Sequence, residues 1–329
     1  MNLSETWSQL RSQFLKNSNK ALAIKVEWKH GEELWVGLKP DGRPFFAVEI
    51  MSKEHAKEYL KHVSDYLSFN VDSKDQHRKK FLEVELKKST SYDLFLPFMQ
   101  DILSFAEMGI GEKLLSAIIM RINAWDNFFE KGKLDVLTKD ELLGLWGELI
   151  FIESILSARP SSSGKCISAW QNVSGTDKDF RFHNQCSIEI KSTTKRSRIS
   201  FKISSESQLT SFESGDLYLI GYVFSADAAS TRKFAEVVMS CRELLSGSSM
   251  LHLFNSMLLR MGYLDEHSIY YEDFSYGVHK TFVFKLDDEF PVISKNNIPN
   301  AISNVSYELD PLMCDKWIIN IEEVFDGIN

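Results

Sequence analysis

Two runs of strict apolar–polar alternation, separated by three polar residues, constrain the segment DFRFHNQCSIEIKST at residues 179–193. Asp179 and Arg181 alternate with Phe180 and Phe182; Glu189 and Lys191 alternate with Ile188 and Ile190. A period of two marks strands whose two faces meet different surroundings. If His183, Asn184 and Gln185 form a three-residue hairpin loop, Phe182 pairs with Cys186 and Phe180 with Ile188. Every apolar side chain then falls on one face. A two-residue loop mixes the faces and wastes the burial. The register therefore predicts Asp179 across from Glu189, with Lys191 one step along the same face.

That face has two readings, and spacing leaves both open. One is a wet strand surface on which a lysine pairs with a cross-strand carboxylate. The other is a metal centre. Adjacent carboxylates repel and keep their ordinary ionisation only with a cation between them. Hard oxygen ligands of this kind suit Mg²⁺. A lysine beside such a site can orient a water or offset charge developing on phosphorus. The chain carries its own comparison in FLEVELKKST at residues 81–90, which repeats E-x-K at Glu85 and Lys87. Its upstream acids Asp72 and Asp75 lie in NVDSKDQHRKK, a charged stretch without apolar alternation. No hairpin register is expected to bring an aspartate to Glu85, so this copy reads as a solvated strand.

The surroundings of 179–193 differ. Thr138 and Glu141 form a capping box for the helix KDELLGLWGELIFIESILSA, which stops before Pro160. Glu148 on it neighbours Gly144, Leu145, Phe151 and Ile152. An acid on that apolar face is costly to bury without a partner. A metal or a lysine of the adjacent sheet would be one such partner; the other reading is that Glu148 borders the stripe and reaches solvent. Downstream, KSTTKRSRISFK carries Lys191, Lys195, Arg196, Arg198 and Lys202 with no acid among them. Such a run can hold phosphates or lie solvated. RPSSSGK reads as a loop, and Asp177 as a turn residue.

At 329 residues the chain has room for about two domains, and 43% hydrophobic with 26% charged residues excludes wholesale disorder. The net charge of −8 supplies no global attraction for nucleic acid, so polyanion binding needs a local basic patch. Cys166, Cys186, Cys241 and Cys314 are too scattered for a zinc motif and read as free thiols. MNLSETWSQL is not a signal peptide, and LLGLWGELIFIESIL is too short to span a membrane and carries two glutamates. A cytoplasmic protein with no membrane association is expected.

Three segments are expected. Residues 1–136 form an N-terminal α+β domain, with strands ALAIKVEW, ELWVGLK, PFFAVEI and KFLEVELKK, a helix SKEHAKEYLKHVSDYL and two helices over 92–130. Residues 137–247 form a core with strands DFRF, SIEIKS, RISFKIS and DLYLIGYVF and a helix at 229–246. Residues 248–329 form a smaller α+β extension packing on that core.

Glu148 on a helix, Asp179 opening a hairpin and IEIKST closing it resemble the core of the PD-(D/E)XK nuclease superfamily. ISSESQL and YEDFSYGVHKTFVFKLDDEFP extend the likeness to a bacterial PD-(D/E)XK family found near DNA methyltransferases and ATPases in phage-defence and restriction-modification-like loci. The resemblance implies an α+β fold with an α/β nuclease core, a restriction-endonuclease-like mixed central sheet flanked by helices. It implies a DNA endonuclease using Mg²⁺, with Mn²⁺ as substitute, held by Asp179, Glu189, the Ile190 carbonyl and Glu148. Lys191 then assists the attacking water, Gln208 supports the site, and Lys195, Arg196, Arg198 and Lys202 bind DNA phosphates. Methyltransferase or ATPase subunits, and a second copy of the chain, are the implied partners. Two departures stand out: Lys178 replaces the motif's proline, and the link from RISFKIS to DLYLIGYVF is too short for a crossover helix. The rival reading is a catalytically silent nuclease-fold subunit that docks DNA or partner proteins.

Overall fold

A computed structural model describes residues 3–16, 20–26, 33–50, 64–72, 79–87, 94–106, 112–130, 136–170, 178–210, 215–294, 298–299, 301–302 and 304–328. The chain divides into two compact units, residues 1–135 and 136–329. The first opens with helix α1 (Leu3–Lys16). Strands β1 (Leu22–Val26), β2 (Leu34–Leu38), β3 (Pro44–Ile50), β4 (Leu67–Asp72) and β5 (Lys80–Leu86) form an antiparallel sheet in the order β1-β2-β3-β5-β4. Helices α2 (Phe95–Ala106) and α3 (Glu112–Glu130) follow. Val36, Phe46, Val48, Leu82, Val84, Phe98, Trp125 and Phe129 are buried in this unit.

Most of the helix expected over SKEHAKEYLKHVSDYL lies outside the described residues. Its expected last residue, Leu67, instead begins β4, a strand the charged sequence conceals. The β4–β5 register sets Ser68 opposite Glu85, so no aspartate faces that glutamate. Glu85 is nonetheless not solvated: it is partly buried and accepts from Arg43 Nη1 at 3.1 Å.

The second unit begins with α4 (Lys139–Ala158), capped as expected: Thr138 Oγ1 accepts the Glu141 N–H and Glu141 accepts the Thr138 N–H. The expected loop at 159–165 is a 3₁₀ turn, Pro160–Ser162, running into α5 (Ser163–Ala169). There follow β6 (Phe180–Arg181), β7 (Ser187–Thr193), β8 (Phe201–Ile203), β9 (Leu217–Ser225), β10 (Arg232–Lys233), α6 (Phe234–Leu244) and α7 (Met250–Arg260). A 3₁₀ segment (Asp265–Tyr271), β11 (Ser275–Leu286), β12 (Tyr307–Leu309) and α8 (Ile321–Gly327) complete it.

The central sheet runs β10-β11-β9-β7-β6, with β7 and β9 parallel and the other pairs antiparallel. It is a mixed α+β fold, as expected. Two expectations are corrected. Strand β11, from the anticipated C-terminal extension, lies inside the central sheet, paired with β9 from Gly277 to Leu286. Strand β8 is not in that sheet; it pairs antiparallel with β12. Parallel neighbours need a crossover between them. Here β8 and the turn after it form that crossover, which is why a link too short for a helix suffices.

Every residue of β9 is buried, the continuous apolar run of a strand covered on both faces. On one face Ile188, Ile190, Ile220 and Phe224 pack with Trp146, Leu149 and Ile152 of α4 and Val237 of α6. On the other, Leu219, Val223, Phe282 and Phe284 meet Phe201, Ile203, Leu209 and Leu309. Gly147 lets α4 approach β7 closely: a Cβ there would overlap Ser192 Oγ and lie 3.0 Å from Ile190 Cγ2. Among the described residues no helix is long and apolar enough to cross a membrane. The four cysteines are buried free thiols.

Candidate metal centre at the β6–β7 hairpin

The hairpin closes through the three-residue loop. Phe182 donates its N–H to the Cys186 carbonyl at 2.8 Å, and Gln185 donates to the Phe182 carbonyl at 3.1 Å. Gln185 takes a left-handed conformation, φ 66°, which a tight loop demands and glycine adopts more cheaply. Phe180 pairs with Ile188 and Arg181 with Ser187, the register the apolar alternation requires.

Asp179 precedes β6, and its Oδ2 accepts the Ile190 N–H at 2.7 Å. Glu189 is 1% exposed. The face expected to be either wet or metal-binding is thus roofed by β8 and the 204–210 turn. Lys191 Nζ lies 2.7 Å from Glu189 Oε1 and donates to Gln208 Oε1 at 3.0 Å. Gln208 Oε1 also accepts the Ser204 N–H at 2.8 Å. Glu189 Oε2 is buried without a hydrogen-bond partner among the described residues.

Burial, then the charge of Asp179, push Glu189 up to about 8, against the opposing pull of Lys191 and Lys178. Burial raises Asp179 as well, opposed by Lys191, the Ile190 N–H and Lys178. A buried carboxylate with an unbonded oxygen beside a second carboxylate is poorly solvated alone. The donor set fits a hard divalent ion, which takes one or two carboxylates and fills its remaining positions with water or phosphate oxygen.

Asp179, Glu189, Lys191 and Gln208 are therefore brought together. Glu148 is not with them. Its helix packs on the opposite face of β7, the Ile190 side, and its buried carboxylate accepts the Trp170 indole N–H at 2.6 Å. Among the described residues no three acid, histidine or cysteine side chains are placed to share an ion. Glu148 is buried and does not reach solvent, and a tryptophan is among its partners.

The basic segment also differs from expectation. Lys195 pairs with Glu308 at 3.1 Å and Arg196 with Asp227 at 3.0 Å, so acids distant in sequence meet a run that contains none. Lys202 stands opposite Glu308 in the β8–β12 register; Arg198 is exposed. Asp177 lies outside the described residues. Ile190 offers its N–H to Asp179, leaving its carbonyl as the atom to be considered for a metal.

Sequence reasoning marked Lys178 only as a departure from the motif and gave it no role. It is 5% exposed, and its Nζ donates to the carbonyls of Ser207, at 2.7 Å, and of Gln208. The available signal was a cation standing immediately before the strand-entry aspartate, where the motif has proline.

A mixed sheet whose central hairpin holds an aspartate, a glutamate and a lysine in D…E-x-K spacing defines a PD-(D/E)XK nuclease-like protein. The profile of the family DUF4420, described as "Putative PD-(D/E)XK family member", matches residues 3–311, and the chain belongs to that family. PD-(D/E)XK proteins are usually nucleases and generally use divalent metals. No curated protein and no solved structure matches the chain.

Proposed function

We propose that the chain is a divalent-metal-dependent DNA endonuclease, with Mg²⁺ as the ion and Mn²⁺ as its substitute. The observation that carries this reading is the pair Asp179 and Glu189, with an unbonded buried oxygen on Glu189 and Lys191 against it. Asp179, Glu189 and the Ile190 carbonyl are the groups that would hold the ion. When bound, the ion supplies Lewis acidity at phosphorus and a more acidic water. Lys191 orients the attacking water and offsets negative charge developing on the phosphate. Gln208 keeps that ammonium directed. Arg198 and Lys202 are exposed for phosphate contact, whereas Lys195 and Arg196 must first leave Glu308 and Asp227. The family likeness favours a role in a bacterial anti-phage or restriction-like system, alongside methyltransferase or ATPase subunits or as a homodimer.

The ion pair between Lys191 and Glu189, with a net charge of −8, favours a second reading. In it the chain is a silent nuclease-fold subunit in which the lysine permanently fills the cation's place. Plasmid cleavage in Mg²⁺ or Mn²⁺ decides between them. The nuclease reading expects wild type to cut, and Lys191→Ala and Glu189→Ala to lose cleavage while remaining folded. Wild-type inactivity alone and with genomic neighbours, or equal cutting by the variants, would falsify it.

A further inference from the structure

We propose that Lys178 is a positioning residue: its buried ammonium ties the 204–210 turn to the hairpin and so holds Gln208 against Lys191. The inference deepens the nuclease reading and takes its catalytic meaning from it, although the tether itself can be tested without it.

The turn closes on itself through several hydrogen bonds. Gln208 donates its N–H to the Ser205 carbonyl at 3.3 Å, and Thr210 Oγ1 donates to the carbonyls of Glu206 and Ser207 at 3.3 and 3.2 Å. None of these fixes the turn to β7. Lys178 donates to the Ser207 and Gln208 carbonyls while standing next to Asp179 in the chain. An ammonium at that depth is costly unless its donors find acceptors, and two main-chain carbonyls accept from it here. One buried cation therefore links the residue before the first carboxylate to the residue that faces the catalytic lysine.

The link has a specific consequence for Lys191. That ammonium has two acceptors, Glu189 Oε1 and Gln208 Oε1. When Glu189 turns its oxygens to a cation, Gln208 remains, and Lys191 stays beside the pair. Gln208 can do this only while its backbone is held; Leu209 packs the turn into the core, and Lys178 is the polar tie that holds the Gln208 carbonyl itself. The positive charge of Lys178 also acts on both carboxylates, consistent with its place at the centre's inner wall.

The test is residue-resolved lysine labelling of the full-length protein with an acylating reagent, read by peptide mass spectrometry, with exposed Lys280 as internal reference. In wild type, Lys178 and Lys191 should both label far more slowly than Lys280; labelling at the reference rate overturns the geometry. Lys178→Met should raise Lys191 labelling roughly tenfold, the factor one charge-assisted hydrogen bond is worth. Gln208→Ala, which leaves the buried lysine in place, should raise it similarly and tests the last link even if Lys178→Met does not fold. The double variant should label no faster than the faster single variant, because both changes break one chain of contacts. A folded Lys178→Met protein with wild-type Lys191 labelling, an inert Gln208→Ala or additive effects overturn the proposal. In plasmid cleavage Lys178→Met should lower kcat with little change in KM. If wild type never cuts, the nuclease reading falls and labelling still decides the tether. If wild type cuts and labelling is unmoved, the tether falls and the nuclease reading stands.

Discussion

Glu189→Gln is the most informative single change, because it removes an ionisation while keeping shape and an oxygen for Lys191. In the folded chain Glu189 is pushed up to about 8 by burial and by Asp179, from an ordinary value of 4.5. The folded state therefore keeps a proton that the unfolded state has released between those values. The stabilisation is fully present below about 4.5 and is lost as pH rises through about 8. One proton corresponds to about 1.4 kcal/mol per pH unit. For a unit of this size, residues 136–329, about 1 kcal/mol moves Tm by about 2–4 °C. Wild type should thus lose about 3–5 °C per pH unit across the window, relative to the Glu189→Gln protein, in thermal unfolding with EDTA present. Replacing EDTA with Mg²⁺ should stabilise wild type increasingly as pH rises and leave the variant unmoved. The slope difference is what counts, because replacing the group that meets Lys191 also shifts the variant's stability by an offset the slope does not contain. Parallel Tm profiles for the two proteins, with and without Mg²⁺, would sink the reasoning.

Other expectations follow from single contacts. Gly147→Ala should destabilise the second unit by about 1–3 kcal/mol, because its new methyl overlaps Ser192 and crowds Ile190; a neutral result in chemical denaturation would show that α4 can retreat. Gln185→Gly should stabilise by about 0.5–1 kcal/mol by relieving the left-handed residue of the hairpin loop, and a loss measured in the same way would contradict that conformation. Asp227→Asn with Glu308→Gln frees Arg196 and Lys195. DNA binding followed by fluorescence anisotropy should tighten, and the log–log salt slope should steepen by about one per freed cation. An unchanged slope would remove both residues from the phosphate-binding surface.

The hairpin was readable because apolar alternation leaves one register that buries Phe180, Phe182, Cys186 and Ile188 together. That register carried Asp179 to Glu189 without any long-range information. The capping box at Thr138 was readable for the same local reason. What stayed hidden depends on residues far apart in sequence. Glu148 had to find its partner in Trp170, and the helix sequence shows only that some partner is needed. Lys195 and Arg196 looked free because Glu308 lies 113 residues from the one and Asp227 31 residues from the other. Strand β8 has a strand's alternation, but nothing local says that its partner is β12 and that it roofs the sheet. Strand β4 was obscured because its charged C-terminal neighbours masked the alternation of Leu67, Phe69 and Val71. Lys178 is the sharpest case: a lysine before a turn aspartate looks like surface chemistry until the carbonyls of a distant turn close over it.

The place of β11 in the sheet has a consequence for biosynthesis. The hairpin and β9 are complete once residue 225 is made, yet the antiparallel neighbour of β9 spans residues 275–286. During translation a nine-residue apolar strand must therefore wait, with one edge unpaired, for some fifty further residues to be made before its partner arrives. An open apolar edge is a template for pairing with other chains. Chains terminated between residues 225 and 275 should accumulate as aggregates, whereas the hairpin that carries the carboxylates can form before that partner is synthesised.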